Sequence, residues 1–404
     1  MNTKRILSIV LLLLFTSTAY IHTFHNGWTT WDDDVYVTDN HFIRDITAEN
    51  LVAIWTKSFN GSYLPLTLMS YMVDYAIGGY NPAVYHTINL LFHIINVVLV
   101  YVLSVRLSNG SHLTGFVVAL IFGIHPMHVE SVAWISGRKD MVSGMFFLLS
   151  VIAYLNYIQQ AQQKGLVLSF IFFTLALYSK ITVVMLPFVL ILLDIYIGRT
   201  WRWNLVYEKL FFFLIAIVFV VIGYFAQYTA GALRHSSLLE MLLMPHYSLF
   251  FYIYKFFLPI QLSSYYPYPK IDEGMVPIVV YLSLPIVYVI FYLVWENRSS
   301  RHVVFGFLFF LLLVFPVLQH IRFSGIIAAD RFTYLPYIGL AFPIGVLVEK
   351  IFQRSSKQLR MLSITIGIIL CAAMFALTFH RVQVWKDSNT LWNDVLKKYP
   401  DAFR

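Results

Sequence analysis

Long apolar runs recur along almost the whole chain, and they constrain its fold more than any other feature. A helix needs about 20 consecutive apolar residues to cross the hydrocarbon core of a bilayer. Of the 404 residues, 59% are hydrophobic and only 12% are charged, which is about half the charged fraction of a typical soluble domain. The sequence therefore predicts an all-α polytopic membrane protein, and it excludes a soluble enzyme, a disordered chain and a fibrous repeat.

The apolar runs predict about eleven membrane-spanning helices. The first run is expected to remain as an anchor, because no signal-peptide cleavage site is obvious after it. In the long loop 25–85 that follows, the apolar segments 51–55 and 64–77 are too short to span and are expected to lie at the membrane surface. Residues 238–262 are apolar but interrupted by Pro245 and Lys255, which predicts a re-entrant or interfacial segment. The predicted spans are 6–24, 86–106, 113–130, 141–158, 165–180, 182–198, 210–228, 276–295, 303–320, 333–352 and 360–380.

Charged residues fall unevenly between the two sides that these spans define. If the N-terminus is cytoplasmic, the cytoplasmic segments hold 13 Lys and Arg residues but only four Asp and Glu residues. Cytoplasmic loops of membrane proteins are enriched in Lys and Arg, so the pattern predicts that loop 25–85 and the C-terminus lie outside. These loops account for the net charge of +8, and no nucleic-acid partner is expected.

Three adjacent acids, Asp32, Asp33 and Asp34, follow the first predicted span. Carboxylates beside a membrane surface can serve as a general base or bind a metal ion. The alternative is a solvated acidic loop that only enforces the topology. The single cysteine, Cys371, excludes an intramolecular disulfide.

A second polar block runs from His125 to Asp140, between the third and fourth predicted spans. His125, His128 and Glu130 are expected at membrane depth, where buried polar groups are costly. The block continues to Arg138 and Asp140. These residues indicate either a functional site or a hydrogen-bonded helix cap, and their spacing does not match a zinc-protease motif.

A polar stripe follows one face of the second predicted span. It consists of His86, Asn89, His93 and Asn96, whose helical spacing places all four on the same side. Asn and His side chains often connect helices within membranes. We expect that role for the last three, whereas His86 lies at the external end and is expected to reach a site.

Two cations and an aromatic run complete the candidate groups. Lys180 lies between the fifth and sixth spans, where it either contributes to a site or snorkels to the surface. Arg331 enters the tenth span, and its planar guanidinium suits a phosphate; the alternative is a topology charge neutralised by Asp330. Tyr266 belongs to an aromatic run that indicates an aromatic belt or stacking on a sugar or prenyl chain. Because nearly all these groups fall on the predicted external side, they indicate chemistry on a lipid-linked phosphate.

Five motifs, in this order, carry a resemblance to a known family. They are Trp31–Asp34, Tyr63–Thr67, His125–Asp140, Ser179-Lys180 and Ala329–Pro336. Their order resembles that in the transmembrane and tetratricopeptide repeat-containing O-mannosyltransferases and their bacterial relatives, within the GT-C superfamily of polyprenyl-phosphate-sugar glycosyltransferases. The resemblance extends over about residues 25–400. It implies a GT-C-like bundle of about eleven transmembrane helices, with a large first external loop that bears interfacial helices.

The resemblance implies an inverting transfer of a sugar, mannose in the family, from a polyprenyl phosphate to an acceptor hydroxyl of a protein or a glycan. Asp32 and Asp33 match the expected catalytic acid pair, with Asp34 as a further candidate. Arg331 is the first candidate for the donor phosphate, followed by Lys180 and Arg138. The residues expected to line the rest of the site are His86, His125, His128, Glu130, Asp140, Tyr63 and Tyr266.

No soluble cofactor is required by this interpretation, and a divalent ion on the aspartates has no supporting ligand pattern. The expected location is the bacterial inner membrane or the endoplasmic reticulum membrane, with membrane lipids around the protein and the site on the non-cytoplasmic face. Two other functions stay open, namely a transporter or flippase of lipid-linked sugars and a catalytically inactive membrane assembly factor.

The chain departs from the family pattern at two motif positions. Leu64 stands where the family often has arginine, and Ile181 stands where it often has glutamate, which predicts a different sugar, a different acceptor or a weakened site. Residues 1–380 form the predicted transferase domain. Residues 381–404 form an external helical segment that resembles the lead-in to tetratricopeptide repeats. Since about three repeats are needed for a stable array, a truncated or minimal relative is expected.

Overall fold

The structure, a computed structural model, describes residues 3–160, 162–200, 202–232, 237–269, 276–322 and 325–402. The last two residues of the predicted C-terminal segment, Phe403 and Arg404, lie outside the described residues. Helix α1 spans Thr3–Ala19, and the long predicted loop follows it. Within the loop, a π-helical turn at Asp34–Thr38 holds the acidic motif.

Two helices form at the apolar segments of the loop. Helix α2 spans Ala48–Thr56, and its start is capped by Thr47, whose hydroxyl accepts from the Asn50 N–H at 3.2 Å. Helix α3 spans Pro65–Gly78 and begins with proline, which is favourable at a first helical position because its missing N–H has no partner there anyway. Both helices are shorter than a membrane span requires, as predicted.

The middle of the chain runs back and forth as a series of helices. They are α4 (Pro82–Leu107), α5 (His112–Ile124), α6 (Val129–Ala133), α7 (Arg138–Gln160), α8 (Gln163–Ser179), α9 (Leu186–Ile197), α10 (Trp203–Tyr207) and α11 (Leu210–Thr229). Helix α4 packs against α5 and α7, and α7 packs against α8. The polar stripe on α4 is buried and bonds this bundle together, since Asn89 donates to the Trp134 carbonyl at 3.0 Å and Asn96 to the Met141 carbonyl at 2.8 Å.

The described residues of the rest of the chain form six further α-helices and a short sheet. The elements are α12 (Leu238–Phe257), β1 (Tyr266–Pro267), α13 (Ile278–Glu296), α14 (Arg301–Val314), β2 (Ile326–Ala328), α15 (Pro336–Arg354), α16 (Lys357–Val382) and α17 (Ser388–Lys398). Strands β1 and β2 pair antiparallel. Within the described residues, this small sheet differs from the predicted all-α fold. Helix α12 continues through Pro245, and the predicted re-entrant or interfacial position of this segment stays a prediction.

The structure has the helices of a multi-pass membrane protein. Among the described residues, five are long and apolar enough to cross a bilayer, and α5 with α6 makes a sixth if their 53° bend lies within one span. Four shorter apolar helices accompany them. Each of the eleven predicted runs contains a helix, but the count of eleven spans stays a prediction. The five are Pro82–Leu107, Ile135–Gln160, Trp203–Thr229, Ile278–Glu296 and Lys357–Trp385.

Helix α4 defines two ends of the molecule. Its 26 residues correspond to roughly 39 Å at 1.5 Å per residue. At its first turn, the His86 Nε2 lies 3.3 Å from the Gly27 carbonyl of the loop. At its other end, the Leu107 carbonyl accepts from the Tyr196 hydroxyl, which also contacts His302 at the start of α14. The acidic loop and the α13–α14 connection therefore lie at opposite ends.

The C-terminal segment joins the acidic loop at one end. The Gly27 N–H donates to the Lys386 carbonyl at 2.7 Å, and the Thr30 N–H donates to the Ser388 hydroxyl at 2.9 Å. The Trp31 and Trp392 rings meet edge to face, with centroids 5.2 Å apart. Helix α17 therefore lies on the same side of the molecule as the three aspartates.

Cysteine labelling tests this arrangement in the membrane. In a Cys371→Ser background, Ser58→Cys and Asn393→Cys should react with an impermeant maleimide from the same side, because the loop and the C-terminal segment are in contact. Ser299→Cys should react only from the other side. All three positions are exposed. The arrangement would be wrong if Asn393→Cys reacted from the same side as Ser299→Cys and Ser58→Cys reacted from the other side.

Candidate active site

Asp33 is the most completely bonded of the three aspartates. Its Oδ2 accepts from the N–H and the hydroxyl of Thr29, each at 2.9 Å. Its Oδ1 accepts from the N–H of Ser136 at 3.0 Å and from the hydroxyl of Ser136 at 2.6 Å. Burial raises the pKa of Asp33 to about 6, although these hydrogen bonds act to lower it. Asp33 therefore fastens the loop to the turn that precedes α7.

Asp32 is held more loosely than its neighbour. Its side chain is 20% exposed, its Oδ1 accepts from the Asn60 amide at 3.0 Å, and its Oδ2 lies 3.3 Å from the Lys139 ammonium. Asp34 begins the π-helical turn and is partly buried. The three adjacent side chains thus have different environments, and Asp32 is the one that meets a cation.

Gly137 makes the turn before α7 possible. A Cβ atom at this position would lie 2.4 Å from the Ser131 carbonyl oxygen, so a larger residue would have to displace backbone. The turn presents Ser136 to Asp33 and, two residues after the glycine, Lys139 to Asp32. The spacing of the Ser-Gly-Arg-Lys-Asp motif is therefore what brings the first loop and α7 together.

Three cations lie in a row on two aromatic rings. The Lys139 ammonium lies 4.8 Å from the Trp134 ring centroid, and the Arg331 guanidinium lies 5.4 Å from the same ring. Arg331 also lies 5.0 Å from the Phe332 ring centroid, and the Lys180 ammonium lies 5.6 Å from it. A cation within about 6 Å of an aromatic centroid is stabilised by the ring. We call Lys139, Arg331 and Lys180 the cation row.

Each member of the cation row is paired with a carboxylate. The pairs are Lys139 with Asp32, Arg331 with Glu130, and Lys180 with Asp140. Three positive and three negative charges therefore balance at this site. The pairing is expected, because a buried charge without a partner is costly.

Arg331 is anchored by more than its ion pair. Its backbone N–H also donates to the Glu130 Oε2 at 2.9 Å, so one carboxylate holds both parts of the residue. Burial acts to lower the pKa of the Arg331 guanidinium, but nearby carboxylates raise that pKa overall. Those carboxylates are Glu130, Asp32 and Asp140.

A small cavity lies beside the row. Its volume is about 30 Å³, which is room for two or three water molecules at about 10–15 Å³ each. The polar part of its wall includes Asp140, Lys180 and Arg331, and the apolar part includes Val183, Leu313 and Val317. The cavity is therefore lined by charged and apolar side chains together.

The sequence predicts that Arg138 binds phosphate, whereas in the structure Arg138 is part of a buried ion pair. It is fully buried and paired with Asp74. Its Nε donates to the Asn89 side chain at 2.7 Å, and its Nη2 donates to the Tyr85 carbonyl at 2.8 Å. Burial raises the pKa of Asp74 to about 6, while the charge of Arg138 acts to lower it. These contacts connect α3, α4 and α7, whereas the next residue, Lys139, lies in the cation row.

The three predicted histidines are buried and bonded to backbone. The His125 Nε2 lies 3.1 Å from the Phe256 carbonyl, and the His128 Nδ1 lies 2.8 Å from the Phe122 carbonyl. His86 contacts the loop carbonyl of Gly27, as described above. Across the described ranges, no group of three or more His, Cys, Asp or Glu residues is arranged to hold a metal ion.

The two predicted tyrosines lie in different places. The Tyr266 hydroxyl donates to Asp330 at 2.7 Å. Burial, with a smaller effect of the Glu130 charge, raises the pKa of Asp330 to about 7. Arg331 is therefore paired with Glu130 and not with the adjacent acid that the sequence offered as an alternative. The Tyr63 hydroxyl donates to the Trp55 carbonyl at 2.9 Å, within the first loop.

Lys139 is the residue of the site that sequence reasoning missed. Arg138, Lys139 and Asp140 are consecutive, and the hydrophobic pattern does not tell which of them turns towards the first loop. Asp32 could have pointed to Lys139, because an acid at a membrane site requires a nearby cation. Asp32 and Lys139 are 107 residues apart, so no local sequence pattern indicates that they pair.

The fold and the site define a polytopic helical membrane protein in which acids and cations from distant segments converge at one end. No protein-family model matches the chain. Protein O-mannosyl-transferase TMTC4 of Homo sapiens is 32% identical over 165 residues, which cover 35% of this chain and 22% of the relative. Protein O-mannosyl-transferase TMTC2 of Mus musculus is 41% identical over 96 residues, which cover 24% of this chain and 11% of the relative.

The match therefore spans less than a quarter of the length of these relatives. These matches confirm the predicted resemblance to the transmembrane and tetratricopeptide repeat-containing O-mannosyltransferases. Among solved structures, ArnT from Cupriavidus metallidurans, crystallised with undecaprenyl phosphate, aligns over 98% of this chain and 78% of its own. Its TM-score is 0.44 at 12% identity, a likeness too weak to define the fold or the activity.

Two adjacent substitutions should separate the structural cation from the cation of the row. Arg138→Gln leaves Asp74 buried without its partner, so it should destabilise the protein by about 3–5 kcal/mol. Lys139→Gln breaks a longer, partly exposed pair and should cost about 1 kcal/mol or less. Thermal unfolding of the two purified variants in detergent measures the difference. An equal loss of stability would show that both cations are structural.

Proposed function

We propose that this protein is an integral membrane glycosyltransferase that moves a sugar from a polyprenyl-phosphate donor to an acceptor hydroxyl. The observation that carries the proposal is the cation row beside Asp32, at a cavity with one charged and one apolar wall. The names of the relatives support mannose as the sugar and a protein hydroxyl as the acceptor. The charge pattern supports a site on the non-cytoplasmic face.

The donor is bound through its phosphate and the start of its prenyl chain. Arg331 offers a planar pair of N–H groups, which suits two phosphate oxygens. Lys180 faces the same cavity and adds a second positive charge. Val183, Leu313 and Val317 line the apolar part of this cavity and are the proposed contacts of the first isoprene unit. The cavity is small, so binding requires the ion pairs of the row to open.

Asp32 is the proposed general base. It is partly exposed and held by only two contacts, whereas Asp33 is buried and accepts four hydrogen bonds. Asp33 is thus a positioning residue for the loop. The acceptor oxygen attacks the anomeric carbon while its proton passes to Asp32. The bond from the anomeric carbon to the phosphate oxygen breaks on the opposite face, which inverts the configuration.

The cation row stabilises the leaving group. As the sugar departs, negative charge develops on the polyprenyl phosphate, and Arg331 and Lys180 are positioned to bind it. The residues alone can supply the base and the charge stabilisation, so the mechanism uses no soluble cofactor.

Loss of the base should remove transfer and leave the fold intact. Asp32→Asn keeps the size of the side chain but not its basicity, so transfer should slow by at least about a hundredfold. The measurement is transfer of labelled mannose from polyprenyl phosphate mannose to a Ser/Thr-containing peptide by purified protein. Asp34→Asn is the matched control, and it should slow transfer much less than Asp32→Asn does.

Two outcomes would contradict this assignment. Full activity in Asp32→Asn would move the base to another carboxylate, with Glu130 and Asp140 as the nearest candidates. Movement of the donor across vesicles by the unchanged protein, without any transfer, would favour the transporter hypothesis.

The shape of the Arg331 side chain should matter as well as its charge. Arg331→Lys should not restore the transfer that Arg331→Ala loses, because lysine lacks the fork that binds two oxygens. Donor binding should weaken in both variants. Thermal unfolding of each variant serves as the control, since Glu130 loses its partner. Unchanged donor binding by a folded Arg331→Ala protein would move the phosphate to Lys180 and Lys139.

A further inference from the structure

We propose that Lys139 exchanges Asp32 for the donor phosphate, and that this exchange releases Asp32 to act as the base. The inference rests on the proposed function and adds an order to it: the donor binds first, and only then does the base become available. It assigns Lys139 as a phosphate-binding residue. It also assigns Asp32 a second role, as the anion that occupies Lys139 while the donor is absent.

The charge balance of the row requires such an exchange. Each of the three cations already faces a carboxylate, so the site has no positive charge to spare. A phosphate that enters brings at least one further negative charge. It can be bound tightly only if a cation leaves its carboxylate and turns to the phosphate, because the excess negative charge would otherwise repel it.

The Asp32–Lys139 pair is the weakest of the three. It is the longest, at 3.3 Å, and its carboxylate is 20% exposed. Glu130 is 1% exposed and also binds the backbone of Arg331, and the carboxylate of Asp140 is 7% exposed. More exposed pairs are better screened and easier to separate. Asp32 is therefore the carboxylate that an incoming phosphate displaces most readily.

Two aromatic rings hold the Lys139 ammonium in place when its partner changes. The ammonium lies 4.6 Å from the Tyr36 ring centroid and 4.8 Å from the Trp134 ring centroid. Each ring favours the positive charge independently of Asp32. Arg331 shares the Trp134 ring, so a phosphate held between the two cations remains beside Asp32.

The exchange links the base to the presence of the donor. While Asp32 is paired with Lys139, the ammonium contacts its Oδ2 and the Asn60 amide contacts its Oδ1, so both carboxylate oxygens have a partner. Once Lys139 turns to the phosphate, the Asn60 amide remains as the side-chain contact that the described residues make with the Asp32 carboxylate. The carboxylate then lies next to the bound sugar phosphate and can accept the proton of the acceptor hydroxyl.

Equilibrium binding of farnesyl phosphate to purified protein in detergent micelles tests the exchange without a transfer assay. Asp32→Asn removes the competing carboxylate, so farnesyl phosphate should bind about three- to tenfold more tightly than to the unchanged protein. The gain should disappear in the double variant Asp32→Asn/Lys139→Gln, because the freed cation is then missing. Asp34→Asn is the matched control and should leave the affinity unchanged.

The outcomes separate the exchange from the proposed function. Unchanged or weaker binding by Asp32→Asn, or a gain that persists in the double variant, would overturn the exchange while leaving the donor class intact. Failure of the unchanged protein to bind farnesyl phosphate, with farnesol as the uncharged comparison, would overturn both proposals. A gain of the same size in Asp34→Asn would also overturn the exchange, because it would reflect net charge alone.

Discussion

Four hydrogen bonds to one buried carboxylate hold the candidate site together. Asp33 accepts them from Thr29 in the first loop and from Ser136 in the turn before α7. The residues on either side of this clamp are consequently fixed in relation to each other. Asp32 precedes Asp33 in the loop and Lys139 follows the turn, so their pairing is a consequence of the clamp. The four hydrogen bonds occupy both oxygens of Asp33, whereas the adjacent Asp32 is partly exposed and pairs with Lys139.

Burial explains why the charged residues occur as pairs. Charges at or near membrane depth are costly, and they persist where they meet a partner or a function. The cation row meets the first condition, because each member has a carboxylate partner, and two aromatic rings lie between the cations. The same pairing gives each cation of the row a partner, so an added anion would meet no unpaired positive charge in the row.

The C-terminal segment supports the site from outside the main bundle. The Trp385 ring stacks on Trp134 with centroids 5.9 Å apart, and Trp134 is the ring that two members of the cation row share. The neighbouring Lys386 carbonyl accepts from the loop at Gly27. The residues after the last long apolar helix are therefore in direct contact with the acidic loop. A substitution that moves Trp385 would therefore also affect Trp134, the ring that Lys139 and Arg331 contact.

The sequence alone determined the membrane class, the positions of the helices and the motifs that matter. These follow from local properties, namely runs of apolar residues, turn-forming glycine and the chemistry of each side chain. Only the tertiary structure decided which of two neighbours does which task, as for Asp32 and Asp33 or for Arg138 and Lys139. The physical reason is that their orientation depends on contacts with residues between 49 and 107 positions away in the chain. Such contacts leave no periodic pattern in the sequence, because they are made once and between segments that fold separately.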